Sequence, residues 1–163
     1  MRHVYLLRHA QAAWAAPGER DFDRALAPQG LVDARQMGMA MQAAGVAPSL
    51  TICSTARRAR ETAEAVLATL PGRQDVRHSA ELYETDASSY VAAASSAAGN
   101  VLIVGHNPMI EEAAVRLAGD GEEAAVKALR RGFPTTGLAV IRFDGAVAAG
   151  KGYLEAFLSP ADF

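Results

Sequence analysis

Three short apolar runs, Val4–Leu7, Leu50–Cys53 and Val101–Val104, set the strongest limit on what this chain can fold into. A strand that is apolar at successive positions presents such side chains to both of its faces, so both faces need cover. The runs are too short for helices, and longer stretches with helical character lie between them. Strand and helix alternating in this way argue for an α/β domain with a largely parallel sheet.

The intervening stretches carry start and stop signals. Leu31 to about Ala44 is rich in helix formers and ends at Gly45, a residue suited to the left-handed position after a helix. A second helix is expected from about Ala56 to Leu70, before Pro71-Gly72, and a third over Ala87–Ala98, before Gly99-Asn100. Asn107-Pro108 reads as a cap followed by a first-turn proline, with Glu111 and Glu112 where the helix dipole favours acids. Ile110, Ala113, Ala114 and Leu117 then recur at helical spacing up to Gly119. Leu138–Phe143 and Tyr153–Leu158 read as a final strand pair, antiparallel, with Asp144-Gly145 as turn residues between them.

Composition removes several function classes. The 163 residues suit one domain spanning 1–163, since single cores usually run about 100–200 residues. Aromatic residues are only 6% of the chain, too few for a base-stacking single-strand binder. Sixteen basic against eighteen acidic residues leave a net charge of −2, with no global attraction to nucleic acid or to an anionic membrane. The first apolar stretch stops at Arg8, short of a secretory or membrane-spanning segment. Cys53 is the sole cysteine, so neither an internal disulfide nor a cysteine zinc site can form. A cytoplasmic setting is the expectation, and the oligomeric state is not readable.

The residues at the end of each buried run carry the chemistry. The first run ends in Arg8-His9, the second in Ser54-Thr55 with Arg58 one helical turn on, and the third in Gly105-His106-Asn107. In a parallel sheet the strand C-termini share one edge, where ligands collect. Two Arg, two His and a helix start would meet there, a cationic, donor-rich set suited to a phosphoryl group. Helical geometry sorts the arginines. Arg57, Arg60, Glu61 and Glu64 share one stripe and can pair among themselves, whereas Arg58 lies outside it near Thr62, Ala65 and Val66. His3 and His78 are read as ordinary strand or loop histidines. Neither a Gly-x-Gly-x-x-Gly fingerprint nor a Gly-x-x-x-x-Gly-Lys loop is present, which disfavours a nucleotide-binding domain.

Leu7-Arg8-His9-Ala10 resembles the Arg-His-Gly signature of the histidine phosphatase superfamily, the phosphoglycerate-mutase-like group. Ser54 to Ala63 resembles its second motif, Leu82-Tyr83-Glu84 its Leu-x-Glu segment, and Val104 to Pro108 its late Gly-His motif. Asp21 to Leu26 and Pro134 to Leu138 resemble the compact SixA-type branch, described as phosphohistidine phosphatases. Ala10 stands where the family has Gly, and Glu61 where Gln is common; Glu61 is assigned to the solvated stripe.

The resemblance implies a three-layer α/β/α fold with a mostly parallel sheet and no large cap domain. It implies His9 as nucleophile through a phosphohistidine intermediate, with no metal and no cofactor. Arg8, Arg58 and His106, the last as a cation, would bind the phosphoryl oxygens, with Ser54 and Asn107 as further substrate contacts. Glu84 is the first candidate for the acid that protonates a leaving group, and Glu81 the second. An imidazole leaving group can depart already protonated and depends less on that acid. The expected substrate is therefore phosphohistidine, possibly on a partner protein. Alternatives are a small-metabolite phosphomonoesterase using the same pocket and a non-catalytic phosphate-binding module.

Overall fold

The three apolar runs become neighbouring parallel strands at the centre of a seven-stranded sheet. The computed structural model describes residues 1–163. Its strands are β1 (Arg2–Arg8), β2 (Leu50–Ser54), β3 (Val76–Ser79), β4 (Val101–Gly105), β5 (Ala118–Gly121), β6 (Leu138–Phe143) and β7 (Gly152–Leu158), ordered β3-β2-β4-β1-β6-β7-β5. All pairings are parallel except those of β6 with β1 and with β7. The antiparallel final pair is as read from the sequence. The edge strands β3 and β5 were not anticipated, because the mixed, mostly exposed Val76–Ser79 and the glycine-rich Ala118–Gly121 carry no apolar run.

Alternation along the strands builds the three layers. Val4, Leu6, Val101, Ile103, Ala139 and Ile141 point to one face, beneath α4 (Ala87–Ser96), α5 (Met109–Leu117) and α6 (Glu123–Arg130). Tyr5, Leu7, Leu102, Val104 and Leu138 point to the other, beneath α1 (Pro28–Ala43) and α2 (Arg57–Leu67). A short helix, α3 (Glu81–Glu84), precedes α4. No helix is long and apolar enough to cross a membrane.

Helix ends differ from the sequence reading in instructive ways. The first helix starts earlier than expected, at Pro28, and closes with a Schellman motif: Val46 N–H bonds to the Met41 carbonyl, Gly45 N–H to that of Gln42, and Gly45 holds φ +74°. The second ends at Leu67, and its expected last residues become tight turns. The fifth begins at Met109, not at an Asn107 cap. The Asn107 amide instead donates to the Phe133 carbonyl at 3.1 Å, and the His106 carbonyl accepts the first helical bond, from Ile110. The Asn107-Pro108 peptide is cis.

Register fixes the height of the active edge. Arg8 lies opposite Gly105, and Cys53 opposite Val104, so the three strands end level. Gly105 is required there by space, because an added Cβ would run into the ring and hydroxyl of the fully buried Tyr90. That hydroxyl accepts from His106 N–H at 2.9 Å and donates to the Leu82 carbonyl at 2.6 Å. Gly105→Ala should therefore lower the unfolding free energy by about 1–3 kcal/mol, as overpacking does, measured by urea denaturation. An unchanged midpoint would show that Tyr90 yields freely.

Candidate active site

His9 is the first residue past β1, and its N–H continues the ladder to the Gly105 carbonyl at 2.9 Å. Because β6 is antiparallel to β1, its start lies beside the end of β1. The turn before β6 therefore grips the same segment. Arg8 N–H bonds to the Gly137 carbonyl, and Thr136 N–H is shared between the Arg8 and His9 carbonyls. Thr136 adopts φ 61°, a left-handed conformation that is uncommon for a β-branched residue and held here by that clamp. From α2, the Thr62 hydroxyl accepts from Ala10 N–H at 2.9 Å. Glu61, expected on the solvated stripe, instead accepts the Leu26 N–H at 2.9 Å while pairing with Arg57.

The residues read as a converging set do converge. Arg8, His9, Arg58, His106 and Asn107 line one open depression of about 420 Å³, joined by Gln11, Ala12, Trp14, Arg24 and Thr135. The rings of His9 and His106 lie 5.2 Å apart. Arg58 is buried at 6% exposure, whereas Arg57 and Arg60 are exposed, as the helical stripe argued. Ser54 sits behind the lining, its hydroxyl 2.8 Å from His106 Nε2. Arg8 Nη1 donates to the Phe133 carbonyl at 2.9 Å, the acceptor that Asn107 also uses.

Four of the six buried polar atoms without a partner belong to lining residues: Arg8 Nε, Arg58 Nε, His106 Nδ1 and Asn107 Oδ1. Buried polar groups left unpaired are costly, so their concentration at the lining sets it apart from the rest of the interior. No group of three or more His, Cys, Asp and Glu side chains is placed to hold a metal ion.

Glu84 is exposed at the end of α3 and is not among the lining residues, and neither is Glu81. That segment instead brings Tyr83 to the site, edge-on to His106 at 5.5 Å between centroids and beneath the Arg58 guanidinium. The carboxylate joined to the cationic cluster is Asp21, which the sequence reading missed as a site residue. It accepts from Arg58 Nη2 at 3.0 Å, Arg24 Nε at 3.0 Å and the Tyr83 hydroxyl at 2.8 Å, and its backbone carbonyl accepts from Arg58 Nη1 at 2.8 Å. Burial pushes its carboxyl up, but Tyr83, Arg58 and Arg24 together outweigh that and hold it below its usual range. The clue available was its arginine-flanked place in the motif before Gly30.

Both histidines are driven neutral. Burial, with Arg58, Arg8 and Arg24 nearby, pushes His9 down to about 4 against the opposing hydrogen bond to Ala10. Burial, then the charges of His9, Arg58 and Arg8, pushes His106 down to about 3. His106 is thus held neutral by its surroundings, and the expected cation concerns the ring only against phosphoryl oxygens. His9 Nδ1 lies 2.7 Å from the Ala10 carbonyl, which can only accept, so the ring proton sits on Nδ1 and Nε2 keeps its lone pair.

Residues 4–94 match the model of the histidine phosphatase superfamily, branch 1. The chain belongs to that superfamily. Membership makes it a phosphatase acting on a phosphate-bearing substrate. An uncharacterised Mycobacterium tuberculosis protein, Rv1276c, is 35% identical over 144 residues, covering 85% of this chain and 88% of the relative. The SixA protein of Agrobacterium tumefaciens, described as a candidate phosphohistidine phosphatase, shares 38% identity with a TM-score of 0.84 over 98% of both chains. The protein histidine phosphatase SixA complexed with tungstate has a TM-score of 0.79 at 24% identity over 98% of both chains, a likeness of fold. The chain is thus a SixA-type histidine phosphatase with the phosphoglycerate-mutase-like fold, and no large cap domain covers its site.

Neutral buried histidines have a consequence for stability. The unfolded chain binds protons at His9 below about pH 6.5, while the folded chain resists until about 4, so stability falls as pH descends through that window. Between pH 7 and pH 4, wild type should lose on the order of 3 kcal/mol more than His9→Gln does, by urea denaturation at each pH. Parallel losses in the two proteins would contradict the burial account.

Proposed function

We propose that the chain hydrolyses N-phosphohistidine, with His9 as the nucleophile. The observation that carries the mechanism is the Nδ1 contact to the Ala10 carbonyl, which leaves Nε2 free inside the cationic cup. Nε2 attacks phosphorus in line and the substrate's P–N bond breaks, its electron pair staying on the departing imidazole nitrogen. Water then attacks phospho-His9 and releases phosphate. Arg8 and Arg58 stabilise the equatorial oxygens, and an arriving dianion favours a proton on His106. Asn107 and Ser54 support this set through Phe133 and His106.

Phosphohistidine is favoured over an alkyl ester by proton supply. An alkoxide needs an acid, and a well-placed one contributes roughly 10²–10⁴-fold. Asp21 is bound to two arginines and held ionised, and Glu84 lies on the exposed surface. An imidazole that already carries a proton on its other nitrogen leaves as a neutral molecule without that help. The candidate activity of the Agrobacterium relative agrees with this choice.

The test is hydrolysis of phosphohistidine, an aryl phosphate and an alkyl phosphate in the presence of a chelator. Wild type should turn over phosphohistidine far faster than the alkyl ester, and His9→Ala should lose at least about 10³-fold on every substrate, as removal of a nucleophile does. Acid quenching should trap phosphate on wild type alone. Glu84→Ala should stay within about twofold of wild type on phosphohistidine, roughly the range for a surface residue. Preference for the alkyl ester would instead assign a small-metabolite phosphomonoesterase, and retained activity in His9→Ala would remove the mechanism.

A further inference from the structure

Trp14 is the chain's only tryptophan and stands 95% exposed on the rim of the cup. The other exposed large apolar residues, such as Val32, Met39 and Val115, are scattered elsewhere and line no part of it. The segment carrying Trp14 is held in place. Ala13 N–H bonds to the Ala25 carbonyl at 2.9 Å, the Ala13 carbonyl accepts from Arg24 Nη1 at 3.2 Å, and Ala12 bridges to Leu26. The indole therefore gains nothing from packing within the protein, yet the backbone that carries it is anchored beside the arginines of the cup.

The cup has room for more than a phosphoryl group. Its volume of about 420 Å³ falls within the roughly 300–1,000 Å³ typical of whole small-molecule sites. With the phosphorus facing His9, the leaving group projects toward the rim. We propose that Trp14 is a specificity-determining residue whose indole stacks on the planar ring that carries the phosphoryl group. Offset stacking favours any aromatic leaving group. A phosphoimidazole protonated on its free nitrogen adds a cation–π attraction, for which tryptophan is the best partner. This role deepens the phosphohistidine reading and rests on it for the choice of ring, though not for the preference for rings over alkyl chains.

Two measurements test it. In steady-state kinetics, Trp14→Ala should raise KM about tenfold for phosphohistidine and about threefold for phenyl phosphate, with kcat little changed. An alkyl phosphate should respond within twofold. Trp14→Phe should recover most of the loss, which a merely structural role would not produce. In binding, phenylphosphonate and methylphosphonate should both displace orthophosphate from wild type, and only the phenyl compound should change the emission of Trp14. Equal losses on ring and alkyl substrates, no loss at all, equal emission changes, or failure of both phosphonates to bind would each overturn the proposal. If phosphohistidine proves a poor substrate while Trp14 still separates phenyl from methyl, the substrate assignment fails and the role of Trp14 stands.

Discussion

The site depends on one hydrogen bond outside the regular sheet, from His9 N–H to the Gly105 carbonyl. It carries the β1–β4 register one residue past the end of β1 and sets the two histidine rings 5.2 Å apart. Tyr90 secures the other side of that junction by accepting the His106 N–H, and the bare Cα of Gly105 gives Tyr90 its room. Backbone geometry thus places the His9 imidazole, and the side chains need only fill a position already defined.

Burial then prepares the electrostatics. Removal from water is the main reason the two imidazoles stay uncharged, and the neighbouring guanidiniums add to it. The outcome is an imidazole with an available lone pair beside two cations, Arg8 and Arg58. Asp21 partly compensates Arg58, and Tyr83 keeps that carboxylate in place. The arrangement favours an incoming dianion, because Arg8, Arg24 and Arg58 line the depression and no carboxylate does.

Much of this was legible in the sequence because apolar runs and helical phase are local properties. The three central strands, the alternation of strand and helix and the separation of Arg58 from Arg57 and Arg60 all follow from spacing. The contributions that escaped come from long-range pairing. The antiparallel course of β6 brings Phe133, Thr135 and Thr136 to the site, and no local pattern encodes it. Asn107 has the residue type of a cap, but a carbonyl on a distant loop claims its amide. Glu84 fits the Leu-x-Glu motif, whereas the turn of α3 presents Tyr83 to the site. Trp14 gives no local signal as a single ring in a chain poor in aromatics, since its position on the rim emerges only in three dimensions.

The central place of β1 also shapes how the molecule is made. Val4 pairs with Val101 on one side and Ile141 on the other, so the ribosome finishes this strand long before either neighbour exists. Until then an apolar ribbon with two open edges must wait in the growing chain, a state that invites wrong partners. Both edges of β1 are covered only by β4 and β6, and the same two strands bring His106 and Thr136 beside His9. The candidate site therefore cannot be assembled before the sheet is nearly complete.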